Sequence, residues 1–134
     1  MSKMNLDINN IEFADNKVVE MTFSDNYRTL SITIENSYST SDKVWLGKTK
    51  LVIKNWEELS VQKYVTKVPD SKGEIYEIDW RTELLTFDMI QEVIVKPNEL
   101  SLKGFSKQNG DWITYLFKNC IYDISCKPNL QNYR

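Results

Sequence analysis

The chain has 134 residues, 41% hydrophobic and 27% charged, with 19 acids against 17 lysines and arginines and no histidine. That length predicts a single domain over residues 1–134, able to bury roughly two-thirds of its extended-chain surface without metal or disulfide staples. The absence of histidine excludes Ser-His and Cys-His nucleophile pairs, the commonest general base and the His-ligated metal sites, so no cofactor is expected.

The first residues lack the apolar run of a signal peptide, and no stretch approaches the roughly 18 apolar residues of a membrane span, so a cytoplasmic protein is expected. Only four glycines and three prolines punctuate the sequence. The elements are therefore read from alternation and from Asn/Asp/Ser clusters. Val19, Met21 and Phe23 share one face of a first secure strand. After the turn cluster Ser24, Asp25 and Asn26, a second strand places Leu30, Ile32 and Ile34 inward and Thr29, Ser31 and Thr33 outward. This period of two, rich in β-branched residues, marks a hairpin with one wet face.

A polar loop over residues 36–42 leads into 44–53, where the inward set switches from Val44 and Leu46 to Leu51 and Ile53. Such a change of phase predicts a bulge, with Gly47 at the position that tolerates one. Leu59, Val61 and Val65 carry the next apolar face, residues 69–73 read as a turn, and Tyr76, Ile78 and Trp80 follow on a further strand. Residues 82–90 fit either a short helix packing Leu84, Leu85 and Met89 or another strand. Segments 93–96, 99–105, 112–117 and 121–125 then read as a closing meander. Asn109-Gly110 is its strongest turn signal, because both residues tolerate φ > 0. The expected fold is all-β, an antiparallel sandwich or open barrel of 8–10 short strands, with a frayed tail over 127–134. Residues 51–56 and 115–120 echo one another in kind and order, which reads as two similar strand-to-turn corners or as a trace of duplication.

Cys120 and Cys126 stand six residues apart in extended chain, about 20 Å at ~3.3 Å per residue. A disulfide tolerates a Cα separation of only ~7 Å. Both are expected as free thiols, small buried hydrophobes in a reducing compartment.

Charge is unevenly placed. Residues 1–68 are neutral, residues 69–92 carry seven acids (Asp70, Glu74, Glu77, Asp79, Glu83, Asp88, Glu92) against Lys72 and Arg81, and residues 93–134 are net positive by three. A segment of this kind is either a solvated face or a docking surface for a basic partner, where the field accelerates encounter. Trp45, Trp56, Trp80 and Trp112 all fall in or beside strands, where core packing is the default. Trp80 lies inside the acidic segment beside Arg81, the composition of an interface hot spot, with Tyr64 and Tyr76 as further candidates.

No dinucleotide, P-loop, EF-hand or HExxH motif occurs. The remaining enzymatic constellation is that of a glycan-active enzyme such as a glycosidase, a carboxylate pair drawn from Glu57, Glu58, Asp79, Glu83 and Asp88, which would need two carboxyls about 5–9.5 Å apart in a cleft. A sequence pI near 5.2 argues against nucleic-acid binding. Two binding classes stay open. The strand number and length match the dimensions of lipocalin-like and fatty-acid-binding barrels, although the only late basic candidate, Tyr133-Arg134, lies past the last strand.

The other class is a protein-binding module. With its histidine-free meander, the hairpin of Leu102-Lys103-Gly104-Phe105-Ser106 and Asp111-Trp112-Ile113-Thr114-Tyr115, and its acidic centre, the chain resembles the small acidic immunity proteins found beside bacterial contact-dependent or polymorphic toxins. The resemblance implies a cytosolic, non-catalytic antidote that covers a basic toxin domain, in many cases a nuclease, with no membrane or nucleic-acid partner. The expected contact residues are Asp70, Glu74, Tyr76, Glu77, Asp79, Trp80, Glu83 and Asp88.

Overall fold

The computed structural model describes residues 4–65 and 73–126; the tail and all of the 69–73 turn except Gly73 lie outside the described residues. The fold is all-β, and every ladder is antiparallel. Its strands are β1 (Met4–Leu6), β2 (Ile11–Glu12), β3 (Asn16–Ser24), β4 (Thr29–Ser39), β5 (Val44–Lys54), β6 (Glu58–Val65), β7 (Glu74–Ile78), β8 (Phe87–Lys96), β9 (Glu99–Ser106), β10 (Trp112–Lys118) and β11 (Ile121–Cys126). The count of eleven exceeds the expected 8–10 because two short strands and a 3₁₀ turn, Ile8–Asn10, precede the first clear alternation. Ladder order is β1-β11-β5-β4-β3-β8-β9-β10-β6-β7, with β2 added on β4, and the ladder does not close. A barrel enclosing a ligand calls for closure, and this sheet instead has edges at β1 and β7.

The ladder has two halves that share β3, which pairs with β8 only at Asn16 and Lys17. The chain itself crosses between halves twice, from β5 to β6 and from β10 to β11. These crossings lie side by side: Lys54 faces Ile121 in one half, and Glu58 faces Lys118 in the other. The β5–β6 and β10–β11 strands thus form one antiparallel ribbon that turns a corner. Asn55 and Asn119 mark the bend with φ of +57° and +53°, a region that asparagine tolerates better than most residues. Glu57 N–H donates to the Lys118 carbonyl at 2.9 Å, and Asn119 Nδ2 donates to Glu57 Oε2 at 2.6 Å. The sequence echo between 51–56 and 115–120 marks these two strand-to-corner transitions.

Bending the ribbon lays both halves on one core. Leu30, Ile32, Leu51, Ile53 and Ile124 from the first half join Val61, Ile90, Leu102, Ile113 and Phe117 from the second, all essentially inaccessible to solvent. Full burial of each such side chain is worth about 1.5–3 kcal/mol, so this cluster outweighs any surface interaction in the molecule.

Bulges decide which residues reach the core. Between Val18 and Glu20 the β3–β4 register slips by one, so Val18 turns inward and Val19, expected inside, is exposed. On β5 the change of phase occurs at Gly47, with φ +77° and its N–H held by Asn36 Oδ1 at 2.9 Å. Leu46 is buried above it, and Thr49, Leu51 and Ile53 below; Val44 and Trp45 are left outside, Trp45 at 58% exposure against Tyr38. Residues 82–90 form no helix. They hold a single turn at 79–83, an extended link, and then β8, which is bulged at Asp88 and at Gln91. The two bulges space the inward residues Phe87, Ile90 and Val93 three apart, which mimics helical periodicity. Strand β11 is not a fourth member of the meander, since it pairs with β5. In the β9–β10 turn only Gly110 adopts positive φ (+75°), while Asn109 Oδ1 instead accepts from Asp111 N–H at 3.0 Å.

Two small buried residues predict opposite outcomes. Gly104 faces the β8 backbone where it bulges, and a Cβ there would sit 2.0 Å from the Met89 carbonyl oxygen. Gly104→Ala is expected to cost about 2–3 kcal/mol in chemical denaturation. The Ser37 hydroxyl is fully buried and has no hydrogen-bond partner among the described residues. Ser37→Ala is expected to leave stability unchanged or raise it by up to ~1 kcal/mol in the same measurement.

Candidate functional site

The acidic segment is carried by edge strand β7 and the connection 79–86 that leaves it. Ile78 is buried and anchors the strand end. The Asp79 carbonyl then accepts from the N–H groups of Thr82 and Glu83 at 3.1 and 2.8 Å, and Asp79 Oδ1 accepts from Arg81 N–H at 3.3 Å. Leu85 is buried, and its carbonyl accepts a hydrogen bond from the Tyr115 hydroxyl at the centre of the core. Gln108 clasps Thr86 through both its backbone N–H and its hydroxyl, each at 2.9 Å. Lys63 also reaches Glu83 at 3.9 Å. That pair is solvent-exposed on the Glu83 side and worth at most about 1 kcal/mol, whereas burying Leu85 is worth about 2 kcal/mol. Leu85 and Tyr115 therefore hold the connection in place.

The expected contact residues divide among several places. Glu74 accepts from the Tyr76 hydroxyl, Lys63 lies 5.9 Å from the centre of the Tyr76 ring, and Glu83 pairs with Lys63, so these three expected residues meet around one lysine. Glu77 projects from the opposite face of β7, accepting from Ser60 Oγ at 2.7 Å and Gln62 Nε2 at 3.2 Å. Asp79 and Trp80 lie just past the strand and line a pocket; Trp80 was expected on β7 itself. Asp88 sits on a bulge of β8, four ladder steps from β7. Asp70 lies outside the described residues. Every described acid of the segment is solvent-exposed.

The pocket holding Asp79 and Trp80 has a volume of about 550 Å³, and is also lined by Tyr27, Arg28, Asn55, Trp56, Glu57, Glu58, Leu59 and Arg81. Three of the five carboxylates weighed for catalysis, Glu57, Glu58 and Asp79, therefore share one concavity; Glu57 is bonded to Asn119, and Glu58 pairs with Lys118 at 3.7 Å. Trp80 stacks on Phe23 at 5.0 Å, Trp56 meets Trp80 edge-on at 6.2 Å, and Trp56 also packs on Phe117 at 5.3 Å. The Arg81 guanidinium stands 5.0 Å from the Trp80 ring centre. Tyr27 completes the rim from the β3–β4 turn, where Asp25, Asn26 and Tyr27 have φ of +54°, +54° and +64°. Left-handed backbone costs roughly 1–2 kcal/mol per residue. A tyrosine has no short polar side chain to offset it, so its packing on Phe23 and Trp80, at 6.0 and 6.2 Å, must hold it there. Sequence reading marked 24–26 as a turn and missed Tyr27 and Arg28, since nothing local announces a left-handed tyrosine.

Of a second surface, only Tyr64 was among the expected interface candidates. Ladder pairing sets Ile75 beside Tyr64, Tyr64 beside Trp112 and Trp112 beside Phe105. The four side chains form an apolar row across β7, β6, β10 and β9 on the face away from the core. Ile75 is 66% exposed, Tyr64 and Phe105 are exposed, and Trp112 is half-buried against Phe105 at 5.3 Å. Beside the row, a groove of about 680 Å³ is lined by Gln62, Lys63, Tyr64, Ile75, Lys103, Trp112 and Thr114. Trp112 was expected in the core, but its neighbour Ile113 takes the inward position, together with Tyr115 and Phe117. That phase was the signal available in the sequence.

Both cysteines are free, and burial pushes each thiol above its ordinary value, with a backbone hydrogen bond opposing the effect at Cys120. A raised thiol is a poor nucleophile at neutral pH. No group of three or more metal-ligating side chains occurs among the described residues, and no helix there is long and apolar enough to cross a membrane.

Burial also holds the Tyr115 phenol well above its ordinary value of 10.0. The folded state therefore keeps this proton where the unfolded chain releases it, so the stability Tyr115 contributes is complete below pH ~10 and declines as pH rises further. Tyr115→Phe leaves the Leu85 carbonyl without this donor. It is expected to cost about 1–2 kcal/mol at pH 7 and to flatten the loss of stability above pH ~10 in denaturant titrations run across that range. No protein family, curated protein or solved structure matches the chain.

Proposed function

We propose that the chain is a non-catalytic protein-binding module that captures a basic protein domain on the face and edge formed by β7, β6, β10 and β9, and that the partner is a toxin it neutralises in the cytoplasm. The observation that carries this reading is the exposed row Ile75, Tyr64, Trp112 and Phe105, which shares the outer face of edge strand β7 with the exposed Glu77, while the exposed Glu74 projects from the other face of the same edge, where Glu83 pairs with Lys63. Aromatic anchors inside a charged rim have the composition of a binding hot spot. Glu74, Glu77, Asp79 and Glu83 outnumber the nearby cations Lys63, Arg81 and Lys103, and Lys63 is already paired with Glu83. A basic partner would be steered to this edge and then desolvated against the row. If the partner is a nuclease, these carboxylates take the place of the phosphates it binds. The lack of histidine and the raised thiols support binding over catalysis.

The test is to express this chain together with the product of the reading frame that precedes its gene. Rescue of growth is expected, and Trp112→Ala is expected to weaken the complex by about tenfold or more. The triple reversal Glu74→Lys, Glu77→Lys and Glu83→Lys should slow association at least about tenfold at low salt and much less at high salt. Absence of toxicity or of rescue would overturn toxin neutralisation. An unchanged association rate at both salt concentrations would overturn the steering role.

A further inference from the structure

We propose that the pocket between the β3–β4 turn, the β5–β6 corner and the start of the β7–β8 connection is a binding site for a neutral saccharide, independent of the apolar row on the outer face. Three segments distant in sequence converge there, and the volume of about 550 Å³ lies within the usual range for ligand pockets, about 300–1,000 Å³. The chemistry of the lining narrows the ligand. Glu57, Glu58 and Asp79 face Arg28 and Arg81, so the charges nearly cancel and neither a strong anion nor a strong cation is favoured. Polar groups dominate the walls, which disfavours an apolar ligand. What remains is an uncharged molecule rich in hydroxyl groups, each able to donate to a carboxylate and accept from a guanidinium or from the Asn55 amide.

The aromatic residues supply the other half of saccharide recognition, a flat surface for the C–H face of a sugar ring. Tyr27 is suited to this role because it is 48% exposed at the pocket rim, and the left-handed turn holds its ring next to Trp80. The platform is rigid before any ligand arrives, since Trp56 is wedged against Phe117 and Trp80 is stacked on Phe23. Preorganisation of this kind lowers the entropic cost of binding. The two guanidinium groups make no ion pair with any described carboxylate and so remain able to donate to a ligand.

The experiment titrates the full chain with maltohexaose, cellohexaose and chitohexaose, and with a heparin hexasaccharide as the anionic comparator, while following the four tryptophan indole N–H resonances. At least one neutral hexaose is expected to shift Trp56 and Trp80 while leaving Trp45 and Trp112 in place. Tyr27→Gly removes the ring while favouring the left-handed turn, so it should keep the fold and weaken that binding by about tenfold or more. Arg28→Ala should weaken it by about fivefold. The proposal is overturned if no neutral hexaose shifts Trp56 or Trp80 at about 10 mM, far weaker than useful affinity. It is equally overturned if all four indoles respond alike, if Tyr27→Gly binds as well as the parent, or if only the heparin fragment binds.

Discussion

Two antiparallel strands that pass together from one half of a sheet to the other must bend at the same level, because an offset between their corners would strand ladder donors and acceptors away from water. The rest of this molecule depends on that constraint. Three residues turn the corner on the β5–β6 side and two on the β10–β11 side, so the register slips by one at the bend. The hydrogen bonds from Glu57 N–H to Lys118 and from Asn119 to Glu57 close the gap that the slip opens. With the ribbon bent, Leu51 and Ile53 come to lie in the same core as Ile113 and Phe117. The bend also creates the concavity whose wall is formed by Asn55, Trp56 and Glu57.

Where a strand ran unbroken, alternation in the sequence was sufficient: Leu30, Ile32 and Ile34 are buried as expected, and the same alternation in the late hairpin, which buries Ile113, Tyr115 and Phe117, was there to be read but was overridden by the default that put Trp112 in the core. The errors concentrate at bulges. A bulge changes phase without changing composition, and only Gly47, with its obvious conformational freedom, advertised one. At Val19 and at Asp88 and Gln91 the extra residue is ordinary, so Val19 was placed inside and residues 82–90 fitted a helix as well as a strand. The Gln91 bulge also has a structural use: its amide clasps the turn at Asp15 through hydrogen bonds of 3.0 and 2.9 Å. This holds the two halves together where β3 and β8 share only two residue pairs.

Less of the candidate site was legible. The acidic run and Trp80 could be read directly, because charge and aromatic content are properties of composition. Their grouping could not. Glu74 and Glu77 lie three apart on a strand and so face opposite sides, one toward Tyr76 and the other toward Ser60 and Gln62. Trp56 and Tyr27 join Trp80 only through the corner and the left-handed turn, which bring residues about 25 and 50 positions apart into ring contact. The apolar row needs the ladder register of four strands, including the β6–β10 pairing of strands that are not consecutive in the chain, before Ile75 and Phe105 can be seen to belong together.

Edge protection explains part of the acidity of β7, but not its apolar side chains. A short strand carrying charge is the usual defence against edge-to-edge pairing, and the five residues of β7 include Glu74 and Glu77, both exposed. By the same logic Ile75, between them and 66% exposed, is a liability. It extends Tyr64, Trp112 and Phe105 to the edge when a polar residue would have ended the row one strand earlier. A fully buried side chain of this size gains about 1.5–3 kcal/mol, a gain the isolated chain does not make at Ile75. An interface covering the row would recover it, and Glu77 on the same face, with Glu74 on the other face of the edge strand, would then favour partners of opposite charge.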